Sequence, residues 1–161
     1  MLKTPPAPDS GISSAWDVRR LAWFVMALLF LGSVVNYLDR AVLGVLMVEI
    51  RRDLALSNSG YAMVVNAFLV TYTICYIIGG RMADLLGSRR MFTVTVLVWS
   101  LAAAAHSVAR GIGSLALCRA VLGIGQGGYY PLAIRAAAEW FEPERRAQAV
   151  GLILSALSVG T

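Results

Sequence analysis

Two arginines stand where arginine is costly. Arg40 lies in an apolar run from Leu21 to Val48, and Arg119 lies in another from Ile112 to about Phe141. An ionised side chain inside such a run is a functional candidate by default, because its hydration must be replaced by something specific. A guanidinium offers a planar fork of N–H donors that fits a carboxylate. Arg40 is eight residues before Val48 and Arg119 is eight after Gly111, so on antiparallel helices both lie about 12 Å in from the same side. Tyr72, twelve residues after Gly60, and Gln126, fifteen after Gly111, fall deeper. Gln126 is two turns beyond Arg119 on one face, with Tyr130 one turn further. Asn36 adds another polar group to the first run. Two guanidiniums at matched depth, with phenol and amide groups below, suit an organic carboxylate that carries hydroxyls. Asp39 adjoins Arg40 but points about 100° away from it, which places it to take a proton rather than to share a ligand atom. The plainer alternative is an internal ion pair between Asp39 and an arginine, with Tyr72 and Tyr130 serving only as packing.

The elements that must carry these groups are membrane helices. The chain has 161 residues, 58% of them hydrophobic and 14% charged, with a mean hydropathy of +0.70, outside the range of an ordinary soluble domain. The net charge of +5 is scattered between apolar runs and forms no basic patch, so a nucleic-acid partner is not expected. Residues 1–17 hold Pro5, Pro6 and Pro8 and read as a disordered tail. No cleavable signal peptide is evident. Five helices follow: about 20–48, 58–84, 90–108, 112–141, and a fifth from about 144. Ser57 or Asn58 can cap the second, and Pro143 suits the first turn of the fifth. The fifth has fifteen residues from Ala147 to Thr161, about 22 Å of helix against the roughly 30 Å of a bilayer core. The chain therefore reads as an N-terminal fragment, residues 18–161 forming a partial bundle. Cys75 and Cys118 lie within apolar runs and read as small buried hydrophobes.

Between the second and third runs lies a short charged hinge, Gly80 to Arg90. Asp84 falls at the negative end of a helix dipole, where an acid needs a cation or another helix N-terminus to answer it. Gly87 supplies the freedom for a tight reversal, and Arg89 and Arg90 open the next run. Lys3, Arg19, Arg20, Arg81, Arg89, Arg90, Arg135, Arg145 and Arg146 fall on one side of the runs, and Arg51, Arg52 and Arg110 on the other. The positive-inside bias puts the N-terminus and the Gly80 to Arg90 hinge in the cytoplasm, in a multi-pass protein of the cell membrane.

Gly80, Asp84, Gly87, Arg89 and Arg90 resemble the G-x-x-x-D-x-x-G-R-[RK] loop of the major facilitator superfamily, with the arginines displaced one place by Ser88. Asn36-Tyr37-Leu38-Asp39-Arg40, Arg119 to Gly123, Pro131, Ala138-Glu139-Trp140-Phe141 and Glu144-Arg145-Arg146-Ala147 together look like the anion:cation symporter branch, which includes sugar-acid permeases. The resemblance implies an all-α membrane fold of twelve helices in two halves, of which this chain holds four helices and a truncated fifth of the N-terminal half. It also implies anion contact at Arg40, Tyr72 and Arg119, protonation at Asp39, and a conformational gate at the Gly80 to Arg90 loop. Two departures stand out. That branch commonly carries a glutamate where this chain has Gln126, and an amide cannot titrate. In the fifth helix only Ser155 remains of the branch's polar groups.

The expected function is import of an organic anion by proton symport, with no cofactor beyond the coupling ion and with the remaining half of the transporter as partner. An exporter of the same fold and a non-transporting membrane sensor are the alternatives; the Gly-Pro pair of drug:proton antiporters is absent around Ser155-Ala156. No set of nucleophile, base and metal ligands suggests an enzyme. Gly123-Ile-Gly125-Gln-Gly127-Gly128 fits G-x-G-x-x-G, but no strand precedes it, and close helix packing through small residues explains it better. His106, the sole histidine, has no partner for a metal and reads as a packed or interfacial residue.

Overall fold

A computed structural model describes residues 15–53 and 57–160. The expected tail lies outside the described residues up to position 14. Its last three positions, Ala15 to Asp17, already belong to the first helix.

Among the described residues six helices follow in order: α1 (Ala15–Asp53), α2 (Asn58–Leu86), α3 (Ser88–Ala105), α4 (Ile112–Gly127), α5 (Tyr129–Trp140) and α6 (Pro143–Gly160). A 3-10 turn, His106–Val108, ends α3. Among the described residues three stretches are long and apolar enough to cross a membrane: Arg20–Leu46, Asn58–Leu86 and Ser88–Val108. α1 runs past its apolar core in both directions because nothing in Ala15–Asp53 breaks a helix. α2 starts where Ser57 Oγ accepts the Gly60 amide at 3.1 Å, satisfying one of the free N–H groups of its first turn.

The fourth run, expected as one helix over 112–141, is divided at Gly128. Pro131 explains the break. Its nitrogen carries no hydrogen for the Gly127 carbonyl four residues back, and its ring crowds that carbonyl. α4 and α5, of 16 and 12 residues, are each shorter than the roughly 20 residues of a span, and only jointly can they cross.

α4 lies at the centre, wedged between α2 and α3, while α1 packs on α6 and touches α5. The glycines of α4 allow this. A Cβ at Gly123 would lie 2.6 Å from the Phe68 carbonyl oxygen, and one at Gly125 would lie 2.7 Å from the Trp99 backbone nitrogen. Both are closer than a methyl can approach, so α4 meets backbone on two sides, and Thr71 Oγ1 donates to the Ala120 carbonyl across the α2–α4 seam at 2.8 Å. The GxGxxG look-alike is thus a packing surface.

The core of the bundle runs through Met26, Leu29, Phe68, Trp99, Leu122, Tyr129, Ala133 and Ile153. Outward, Ile77 is 73% exposed, Leu101 70% and Leu117 66%. Side chains of this size, so exposed around most of the bundle, need lipid rather than water as their solvent.

Candidate functional site

α1, α2, α3 and α4 each contribute side chains to one polar cluster inside the bundle. From α1, the Arg40 Nε donates to Oε1 of Gln126 on α4 at 3.2 Å. The Gln126 Nε2 in turn faces Asp39 Oδ2 at 3.4 Å, a long contact. The indole N–H of Trp99, on α3, donates to the same Asp39 oxygen. A carboxamide carries both an acceptor and a donor, so Gln126 can serve a cation and an anion that point in different directions from α1.

The aromatic surface comes from α2. The Arg40 guanidinium lies 4.5 Å from the Tyr72 ring centroid and 5.4 Å from that of Phe68. Arg119, from α4, lies 5.2 Å from Phe68. One ring therefore sits against both guanidiniums. These are cation–π distances, worth about 0.5–2 kcal/mol each. Phe68 and Tyr72 stack at 5.6 Å, Tyr72 and Tyr76 approach at 6.0 Å, and Tyr76 and Tyr130 at 6.5 Å. The row follows from spacing: Phe68, Tyr72 and Tyr76 are successive i, i+4 positions on one helix face.

Among the described residues, neither arginine is paired with a carboxylate, and Asp39 is held by Trp99 and Gln126 instead. The internal ion pair weighed above is not what the structure forms. Arg119 is buried, and its Nε has no hydrogen-bond partner among the described residues. The same holds for Nδ2 of buried Asn36. Buried donors of this kind are rarely left unmatched. With Asp39 ionised, the cluster carries one positive charge in excess, which a single carboxylate would balance.

The structure places most of the expected site together, with one change of geometry. Arg40 was expected level with Arg119 and above Gln126, yet it touches Gln126 directly. Depth estimated from backbone rise ignores a side chain that reaches about one helical turn. Tyr130 joins the far end of the aromatic row. Phe68, Trp99 and Tyr76 were not singled out in the sequence; the i, i+4, i+8 aromatic pattern on α2 was a signal for two of them, whereas nothing local marks Trp99.

The Gly80 to Arg90 segment is separate from this cluster. Asp84 is twelve residues beyond Tyr72, about 18 Å along α2. The hinge is also shorter than expected: Gly80 to Leu86 are helical, Ser88 opens α3, and Gly87 alone makes the turn. Gly87 has φ 79° and ψ 146°, a region closed to side chains with a Cβ, and its amide closes α2 on the Ala83 carbonyl at 3.0 Å. The cation that answers Asp84 is Arg135 of α5. Arg135 Nε also donates to Glu139 at 2.7 Å, as does Ser88 Oγ at 2.7 Å. This charged rim lies at the ends of α2, α3 and α5, beside the Gly87 turn. The Ser88 hydrogen bond first, and Arg135 with it, hold the Glu139 carboxyl below its ordinary range against a counteracting effect of burial. Arg89 and Arg90 are exposed, and Gly80 faces open space.

A polar, cation-rich cluster set among helices long and apolar enough to cross a membrane is the arrangement of a multi-pass membrane protein. The chain belongs to the Major Facilitator Superfamily, whose profile matches residues 29–161. It is similar to the galacturonate transporter of Dickeya chrysanthemi, 27% identical over 145 residues that cover 90% of this chain and 42% of that protein. It is 33% identical over 152 residues to the D-galactonate transporter of Escherichia coli O6:H1, covering 94% of this chain and 35% of that one. In fold it resembles a bacterial homologue of the human lysosomal transporter Spinster in an inward-facing, occupied conformation, with a TM-score of 0.79 and 25% identity over 85% of this chain and 30% of that structure. The chain thus spans between about a third and two fifths of the length of these two curated relatives.

Proposed function

We propose that the protein is a secondary carrier of an organic anion, a sugar acid or similar hydroxylated carboxylate, bound between Arg40 and Arg119. The observation that carries this reading is that both guanidiniums lie over Phe68 with no carboxylate paired to either among the described residues. Arg40 uses Nε on Gln126 and keeps its terminal nitrogens for a ligand. Arg119 keeps Nε. Tyr72, Tyr130, Asn36 and the Gln126 amide supply neutral partners for hydroxyls, which a carboxylate without them would not need. Sugar-acid names among the relatives support the same substrate class.

Asp39 supports coupling of this carrier to protons. A carboxyl group beside Arg40 in the membrane changes the charge of the cluster when it takes a proton, so proton and anion can compensate one another. Alternating access would then move the site from one side to the other, with the Asp84 and Arg89 end of the bundle breaking and remaking contacts with the remainder of the transporter. The distribution of Lys and Arg supports a cytoplasmic N-terminus in the cell membrane.

The test is uptake of galacturonate and galactonate into vesicles carrying the protein from the full reading frame, with and without an inward proton gradient. Gradient-driven uptake that Arg40→Ala and Arg119→Ala each abolish is the expected result. Uptake indifferent to both changes would reduce the arginines to structural groups, and export of the acids would reverse the direction proposed.

A further inference from the structure

Gln126 leaves the cluster with one carboxylate, Asp39, as its acid. A second titratable group lies in the same part of the bundle. A cavity of about 290 Å³ is lined by Asp39, Leu46 and Ile50 of α1, by Ala103 of α3, by His106 and Ser107 of the 3-10 turn, and by Leu115 and Leu122 of α4. Taking about 30 Å³ per water, it has room for several, and Asp39 and His106 are its two titratable lining groups.

The protonation of His106 can be read from its bonds. Nδ1 lies 2.7 Å from the Ala102 carbonyl oxygen, which can only accept, so Nδ1 carries the hydrogen. In the neutral ring Nε2 is then the bare nitrogen. Nε2 is buried and has no hydrogen-bond partner among the described residues. A histidine serving only as packing would be expected to satisfy that lone pair.

We infer that His106 is a second proton-carrying group of the transport cycle, exchanging protons through the cavity it shares with Asp39. This inference rests on the carrier reading given above. The step is a simple protonation: as the ring turns to the cavity, a hydronium ion there gives its proton to the Nε2 lone pair and leaves water, converting the neutral ring to imidazolium while Nδ1 stays on Ala102, and in the opposite-facing state the imidazolium returns that proton to water on the other side of the membrane. Asp39 from α1 lines the same cavity as the ring; Arg119 is carried on the neighbouring α4, and Arg40 acts at one remove, through Gln126. An ionised carboxylate favours an imidazolium and a guanidinium opposes it. An anion bound at Arg119 offsets the opposing charge, so anion and proton each favour the other's arrival, which is the linkage symport requires. His106 thereby supplies a titrating group that Gln126 cannot.

The experiment compares the full-length carrier with its His106→Gln variant in liposomes at zero membrane potential, in two modes. Galacturonate accumulation under an inward gradient of one pH unit reads proton coupling; counterflow of labelled against unlabelled galacturonate, at equal pH on both sides, reads binding and exchange without net proton movement. One proton moved down one pH unit supports about a tenfold concentration ratio. The expected result is a limiting accumulation about tenfold lower in His106→Gln with counterflow retained. Equal accumulation in both proteins would overturn the inference while leaving the carrier reading intact. Loss of both modes in the variant would make His106 structural and also overturn it. Wild-type counterflow without gradient-driven accumulation would remove proton coupling altogether, and a wild-type protein inactive in both modes would overturn the carrier reading itself.

Discussion

Arg40 and Gln126, 86 positions apart in the chain, are joined by a hydrogen bond from Nε to Oε1 at 3.2 Å. That bond ties α1 to α4 through the middle of the bundle and fixes which nitrogens of Arg40 are left for a ligand. Gln126→Leu, which keeps the volume but removes both polar ends, should free Arg40 and leave Asp39 with Trp99 as its sole neutral donor. The expected outcome is weaker galacturonate binding by about 10-fold or more, since hydrogen bonds to charged groups contribute about 1.5–3 kcal/mol. Isothermal titration of the full-length carrier would measure it, and unchanged affinity would show that Arg40 needs no such support.

Arg40 and Arg119 should differ in their tolerance of lysine. Arg40 lies over Tyr72 at 4.5 Å while donating to Gln126, two contacts that use the planar fork, and an ammonium cannot reproduce both. Arg40→Lys is therefore expected to impair uptake nearly as much as Arg40→Ala, about 10- to 100-fold in kcat/KM. Arg119→Lys, which keeps the charge and loses mainly Nε, should retain more activity. Equal effects at the two sites would contradict this ordering.

The glycines of α4 should resist enlargement. Gly125→Ala places a methyl 2.7 Å from the Trp99 backbone nitrogen, so α3 must shift and take the Trp99 indole away from Asp39. Overpacking of this kind costs about 1–3 kcal/mol. A lowered melting temperature in detergent, accompanied by altered transport, is expected. Gly113→Ala is the control, because a Cβ there meets nothing within 4 Å.

Gly87 isolates backbone strain from packing. A Cβ at this position also meets nothing within 4 Å, yet φ is +79°. Gly87→Ala should destabilise the protein by about 1–3 kcal/mol from conformation alone, measured as a shift in thermal or denaturant midpoint. A neutral substitution would mean that the α2–α3 turn can relax to another conformation.

The charged rim should give an acid-side dependence of stability. Asp84 and the Arg135 side chain are 66% and 34% exposed, so the ion pair itself contributes less than about 1 kcal/mol. Glu139 behaves as a depressed carboxyl: its stabilising effect is present above its ordinary value of 4.5 and is lost as pH falls through its lower folded-state value. Ser88→Ala removes the largest cause of that depression. Melting curves between about pH 3 and 6 should show wild type losing an increment of stability on acidification that the variant lacks.

Much of this protein was determined by its sequence alone. Transfer of side chains into lipid is a local property, so the apolar runs, their polar interruptions and the cost of Arg40 and Arg119 could be read residue by residue. The Asp84 and Gly87 spacing pointed to the family for the same reason: a tight turn between helices has local requirements. Partners were another matter. Which group answers Asp84, what holds Asp39, and which ring lies under both guanidiniums depend on the rotation and tilt of the helices. Those are set by close approach at Gly123 and Gly125 and by the break that Pro131 makes between α4 and α5. Only the tertiary structure brought Arg135 to Asp84, Phe68 to the two arginines, and Trp99 and His106 to the surroundings of Asp39. These pairs are separated by between 28 and 67 positions, too far apart for any local pattern to report.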